Sequence, residues 1–252
     1  MIREKPDGMI LAARYAFMPN KLRYCGGDRN SQLFSYVSAG FSDGGLGELL
    51  EEFDTMFPYV SFIAHANKIA DPFDYRVVEA YWIGNDLLDR IDFNAFYRYM
   101  VDIQRLPKSY KPELAEKIYG KIPLGAKPHH SWHVFNIPKR MGPNALEYTI
   151  ATMDDCRISW AKVLKSDPVA DGLLKKIKVE CRPLQYLNNQ LILGEPQEKE
   201  VWFEYGNKSF TGPLQAGDLI TLHWNWACDR ISEEQKNNLE KWTRHNLKLA
   251  NL

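Results

Sequence analysis

The sequence predicts an α+β protein: a helical domain over residues 1–153, then a small five-stranded β-barrel and a C-terminal helix over residues 154–252. Three observations predict it. Apolar residues recur at three- and four-residue steps up to about Asp155, and alternate with polar ones beyond it. The turn pairs Asn188-Asn189 and Gly206-Asn207 separate the alternating runs. Ser232 followed by Gln235 forms a capping box ahead of a final amphipathic stretch.

Along the chain, Ser42 and Asp43 can cap a helix whose apolar face is Leu46, Leu49, Leu50, Phe53, Met56, Phe57 and Val60, with Pro58 as its kink or break. A second helix is expected from Asp71-Pro72 through Val77, Val78, Tyr81 and Trp82 to Leu88. Further helices are expected at about Phe93–Ile103, Pro112–Ile118 and Ala145–Met153. Between them, Leu106 to Asn144 is rich in proline, glycine and lysine and reads mostly as connections. The strands expected of the barrel are Arg157–Leu164, Lys175–Val179, Gln190–Leu193, Val201–Tyr205 and Leu219–Trp224. In the last helix Leu239, Trp242, Leu247 and Leu249 share a face that must be buried.

Composition excludes several classes. Thirty-two basic side chains balance 32 acidic ones, so the broad positive field of a nucleic-acid binder is lacking and no such partner is expected. No run approaches the roughly 18 apolar residues of a membrane span. The N-terminal apolar run is short and flanked by charges, unlike a signal peptide. A cytoplasmic protein without a membrane partner is expected. The cysteines, Cys25, Cys156, Cys181 and Cys228, form no C-x-x-C pair, and in a reducing compartment they are free thiols. Gly44-Gly45-Leu46-Gly47 lacks the lysine and spacing of a phosphate loop, so no nucleotide is expected.

Residues with chemistry to offer fall in a few places. His129, His130 and His133 lie within five residues and are the densest group of potential metal ligands. On a helix or a strand alike, His129 and His133 would share a face. The glutamate of a zinc peptidase motif is missing. The alternative is a core of Trp132, Val134 and Phe135 with bordering histidines. Glu79, mid-helix among apolar neighbours, suits a ligand, a general base, or a partner for Arg14 or Arg76, the pair being the commoner outcome. Cys25, in Tyr-Cys-Gly-Gly, sits in a tight turn whose glycines permit close backbone approach, which suits a cofactor-binding ligand and is equally well explained by the turn alone. His65 and Asn67 read as helix caps.

The stretch Cys156-Arg157-Ile158-Ser159-Trp160-Ala161-Lys162-Val163, with its cysteine six residues ahead of lysine-valine, resembles the N-terminal signature of the HypC/HupF family, small barrel proteins that chaperone iron in nickel–iron hydrogenase maturation. Gly217-Asp218-Leu219-Ile220-Thr221-Leu222-His223 is similar to that family's late strand ending in histidine, and Asp229 to Glu234 leads into a helix as it does there. Trp160-Ala161 stand where that family has Pro-Gly. The resemblance implies a HypC/OB-like barrel, iron held by Cys156, His223 close to it across the barrel, and hydrogenase maturation proteins or the hydrogenase large subunit as partners. Cys156 and His223 are thus the expected catalytic or binding pair, with Glu79 a third candidate. Arg157 would favour the Cys156 thiolate, while Asp154 and Asp155 oppose it. The remaining motifs, Arg14-Tyr15-Ala16-Phe17, Tyr24-Cys25-Gly26-Gly27 and Val77 to Asn85, resemble an uncharacterised prokaryotic family of about this length.

Two functions follow as expectations. One is a maturation factor that handles iron, in the form of an Fe–CN/CO fragment, through Cys156. The other is a metal- or haem-dependent enzyme that uses the histidine cluster.

Overall fold

The structure, a computed structural model, describes residues 7–104, 106, 110–137 and 147–252, with the side chains of 166–171 excepted. Its helices before the sheet are α1 (Gly8–Lys21), α2 (Asn30–Ala39), α3 (Gly44–Glu51), α4 (Met56–Ala66), α5 (Tyr75–Trp82), α6 (Asp86–Asp89), α7 (Phe93–Tyr99), α8 (Pro112–Gly120), α9 (His130–Asn136) and α10 (Ile150–Cys156). A π-helical turn, Met100–Gln104, extends α7. The strands are β1 (Ser159–Asp171), β2 (Leu174–Cys181), β3 (Leu184–Leu187), β4 (Gln190–Leu193), β5 (Gln197–Tyr205), β6 (Lys208–Ser209), β7 (Leu219–His223) and β8 (Trp226–Arg230), and α11 (Glu233–Ala250) follows them. The protein is α+β, with helices first, a multi-stranded sheet next and a helix last.

Helix α1 has no place among the expected elements, because it is buried on nearly every side and so shows no apolar stripe. Its start is tight: a Cβ at Gly8 would lie 1.7 Å from the Phe73 carbonyl oxygen. The expected helix from Leu46 to Val60 divides into α3 and α4. The break falls at residues 52–55 rather than at Pro58, which sits in the first turn of α4 where its missing N–H costs no bond. Asp43 caps α3 through Gly45 N and Leu46 N, as its sequence position implies. The helix expected from Asp71 starts at Tyr75, with Asp74 as its cap, and stops after Trp82. Gly84 ends it at φ 93°, against the indole of Trp242, to whose Cδ1 a Cβ would come within 2.1 Å. The helix expected at Ala145–Met153 begins among residues outside the described set. What is described is α10, so Cys156 closes a helix instead of opening a strand.

Strand order in the larger sheet is β2-β1-β7-β8-β5-β6, and β2 also pairs with β5. These pairings form a circuit. The link between β5 and β8 is one parallel contact, Trp202 with Trp226, while the others are antiparallel ladders. β3 and β4 form a separate hairpin across Asn188-Asn189, whose φ values of 50° and 62° are those of the expected turn. Gly206-Asn207, at 54° and 61°, does the same between β5 and β6.

The alternation of the strands decides where the functional side chains go. Ala161, Val163, Ile177, Val179, Val201, Phe203, Ile220, Leu222 and Ala227 share one core within the sheet. Their neighbours Trp160, Trp226 and Cys228 join a larger core with α1, α3, α4, α5 and α11. Thr221 and His223 follow the same outward phase, and both contact Tyr15 of α1. The larger core therefore draws on residues from both sides of position 153.

Candidate metal centre

The segment HHSWHVF folds as α9. His129 is its N-cap and accepts a hydrogen bond from Ser131 N at 3.1 Å, so its backbone is extended and it does not share a helical face with His133. Its ring lies against Trp242, fully buried, and burial pushes it down to about 3. The two helical histidines, His130 and His133, both line a cavity closed by Tyr81, Trp82, Cys156, His223 and Trp224. Cys25 lines the same cavity from the turn after α1, where a Cβ on Gly26 would strike the ring of Phe53.

Three potential ligands converge there. One ligand-type atom each from His130, Cys156 and His223 lie within 4.8 Å of one another. They come from α9, the end of α10 and the end of β7. His130 and His223 are buried, and Cys156 is half-buried. The two imidazole rings meet edge to face at 5.2 Å.

Backbone carbonyls orient both rings. A carbonyl only accepts, so His130 Nε2, 2.8 Å from the Cys156 oxygen, carries the proton and donates it. The lone pair is then on Nδ1, which accepts from the Tyr81 hydroxyl at 3.1 Å. By the same reasoning His223 Nδ1 donates to the Tyr15 carbonyl at 2.7 Å, and its lone pair is on Nε2. A ring N–H held by a backbone carbonyl is the usual support of a metal-ligating histidine. Burial, and then the neighbouring His223, push His130 well below the ordinary imidazole range, so it is neutral and a competent donor at pH 7. The cavity has about 40 Å³ of room for water-sized occupants, enough for an ion and small ligands.

Other expected residues stand apart. Glu79 faces a separate open cleft of about 750 Å³, which among the described residues has no lining residue in common with the cavity. Neither Arg14 nor Arg76 pairs with it: Arg14 binds Asp229 at 2.7 Å and Arg76 binds Asp74 at 2.8 Å. Its carboxylate accepts instead from Gln235 Nε2 at 2.8 Å, Asn85 Nδ2 at 3.0 Å and Tyr75 at 3.2 Å. Arg157 points away from the cavity, buried between Asp154 and the Arg182 carbonyl. Next to Cys156 in sequence, it serves the junction with β3.

Cys156 and His223 meet on the sheet's helix-facing surface and not across its interior. Tyr81 and Tyr15 were not among the expected site residues. Each appears in the sequence as one more core aromatic, and their contacts to histidine need the tertiary fold. Trp224 is also new. It occupies a left-handed turn with Asn225, at φ 52° and 60°, and its N–H reaches the Asp155 carbonyl at 2.7 Å, tying the β7–β8 hairpin to the helix that bears Cys156.

A centre with one thiol and two imidazoles suits zinc, copper or iron, and three protein ligands leave a position for an exchangeable fourth. Among the described residues no other group of three or more such side chains converges. No helix among them is long and apolar enough to cross a membrane.

Residues 4–252 match the DUF6390 family, a family of unknown function, and the chain belongs to it. Over 139 residues the chain is also 29% identical to the DNA-directed RNA polymerase subunit beta' of Clostridium acetobutylicum. That match covers 53% of this chain and 10% of the subunit, so the chain corresponds to a small part of that relative. No solved structure matches.

Proposed function

We propose that this member of DUF6390 is a metal-handling maturation factor that binds one iron ion through Cys156, His130 and His223 and passes it to a partner. The observation that carries this reading is the convergence of the three donor atoms within 4.8 Å, with both histidine rings oriented by backbone carbonyls. A soft thiolate beside neutral imidazoles favours a transition metal over magnesium or calcium. Iron as cargo, and hydrogenase maturation proteins or the hydrogenase large subunit as partners, rest on the HypC/HupF resemblance of the Cys156 and His223 stretches. The circuit of pairings β2-β1-β7-β8-β5 supports reading the sheet as a small five-stranded barrel of that kind.

The chemistry assigned to the protein is capture and release. The thiolate supplies charge, the imidazoles supply neutral donors, and the surrounding aromatic rings keep bulk water away. The half-buried Cys156 is the route for transfer to a partner thiol.

A second reading, a metal-dependent enzyme, is favoured by the open coordination position and uses the same centre. Its haem form fits poorly, since cofactor-sized ligands occupy pockets of roughly 300–1,000 Å³ and this cavity has about 40 Å³.

The test is anaerobic purification from cells that make a nickel–iron hydrogenase, followed by metal analysis and infrared spectroscopy. Stoichiometric iron in the wild type and its loss in Cys156→Ala and His223→Ala support the proposal. Iron–cyanide or iron–carbonyl bands lost with Cys156 would support the carrier in its specific form. A wild-type protein that takes up no metal, even when offered iron under reducing conditions, would sink it. Turnover of a substrate by the loaded protein would favour the enzyme.

A further inference from the structure

The donor nitrogen of His130 is already occupied. Its Nδ1 accepts from the Tyr81 hydroxyl at 3.1 Å, while Nε2–H is committed to the Cys156 carbonyl at 2.8 Å. A lone pair that accepts a proton from a phenol cannot bind a metal at the same time. We propose that Tyr81 is an occluding residue of the metal centre: its hydroxyl seals His130 Nδ1 in the empty protein and must give way for metal to enter. This rests on the reading of His130, Cys156 and His223 as the metal site.

The surroundings of Tyr81 make the seal firm. The residue is fully buried. Its ring stacks on Tyr59 at 5.5 Å and meets Trp82 edge to face at 4.6 Å. Trp82 in turn lies 4.6 Å from the His130 ring and 5.6 Å from that of His223. Moving the hydroxyl off Nδ1 therefore disturbs an aromatic stack that also walls the cavity. Entry of metal exchanges one buried hydrogen bond for a coordinate bond and leaves the phenol to find another acceptor. The seal raises the threshold for binding, so adventitious metal is held less well than it would be by the same three ligands exposed. It also gives a delivering partner something to act on, because displacing the Tyr81 hydroxyl would free His130 Nδ1.

Tyr81→Phe removes the seal and keeps the ring. Titration with Co²⁺, read by its thiolate and ligand-field absorption, is expected to show roughly tenfold tighter binding by Y81F than by wild type, the scale of one buried hydrogen bond left unmade. Metal-free Y81F should melt lower than metal-free wild type, because Nδ1 loses its partner, while the loaded forms should melt closer together. A folded Y81F that binds Co²⁺ no more tightly than wild type overturns the proposal and leaves the metal site intact. If neither protein binds Co²⁺, the site and the seal both fall.

A second measurement does not depend on a variant. Nitrogen-15 spectra of wild-type histidines should show His130 protonated at Nε2 when empty, and a shift confined to Nδ1 when Zn²⁺ is added. Coordination through Nε2 would make Tyr81 a supporting acceptor and would overturn the proposal.

Discussion

Helix α5 contributes to two hollows that, among the described residues, have no lining residue in common. Tyr81 and Trp82 wall a cramped cavity with three potential metal ligands and few charges, whereas Tyr75, Arg76 and Glu79 line a wide cleft crowded with charges. In the cleft nearly every charge has a partner of opposite sign or several polar ones. Arg14 has Asp229, Lys241 has Asp89, and Glu79 has three neutral donors. Water screens what remains, so such pairs contribute little each. In the cavity the two imidazoles are buried and donate their N–H groups to backbone carbonyls, and one ligand-type atom from each of His130, Cys156 and His223 lies within 4.8 Å of the others. The larger and more polar hollow pairs its charges within itself, while the smaller one groups a thiol and two imidazoles of the kind that ligate metals.

A large effect should come from the close approach of Gly84 to Trp242, a residue of the cleft wall. Gly84→Ala introduces a Cβ 2.1 Å from the Trp242 indole at a backbone φ of 93°. Overpacking and left-handed strain together should cost about 3–4 kcal/mol, seen as a lower denaturation midpoint. A change below 1 kcal/mol would show that the Trp242 indole can move off the turn that follows α5.

Next comes the cavity alone. Cys156→Ser should leave the fold within about 1 kcal/mol of wild type, yet weaken metal binding by about 100-fold or more, since even supporting residues of such sites are worth 10–100-fold. Equal affinity in the serine variant would remove the thiol from the centre.

The buried histidines should also make stability depend on pH. Burial holds His129 down at about 3 and His130 well below its usual value, so both bind protons in the unfolded chain before they do in the folded one. Their contribution is fully present above pH 6.5 and is lost as pH falls from there toward the folded values. The slope is about 1.4 kcal/mol per pH unit for each histidine. Melting of the metal-free protein between pH 7 and pH 4.5 should reveal it, and His129→Gln should remove part of the slope. A flat profile would mean that the buried rings are protonated.

The smallest effect belongs to the cleft. Glu79→Gln keeps the size of the side chain and one of its two acceptor oxygens, enough for Gln235 and Tyr75 but not Asn85, and should change stability by about 1 kcal/mol, with metal affinity untouched. A loss of metal binding would join the two hollows and break the contrast drawn between them.

The sequence made much of the β part legible. The turn pairs Asn188-Asn189 and Gly206-Asn207 fix local backbone signs, so the hairpins they join were readable. So were the caps Asp43 and Ser232, which act within three residues. Strand β8 was missed because Trp224-Asn225 is an unusual pair for a left-handed turn, and β3 because it is short and has proline before it. Helix α1, surrounded by protein, offered no stripe to read. For the site, the residue types were visible and their grouping was not. His130, rather than His129, joins His223, because the N-cap position turns one ring away by breaking helical phase. Arg157 sat beside Cys156 in sequence but lies on the other side of a helix end. Tyr81 gave no signal, since only a neighbour from 49 residues away gives its hydroxyl a role.

The hairpin latch, in which Trp224 N–H meets the Asp155 carbonyl, has a consequence for biosynthesis. The three potential ligands stand at positions 130, 156 and 223, so no local stretch of nascent chain brings them together as a zinc finger does. The group can assemble only after β7 has left the ribosome and closed onto α10. A product truncated before that hairpin therefore lacks the grouping on which the proposed metal site depends.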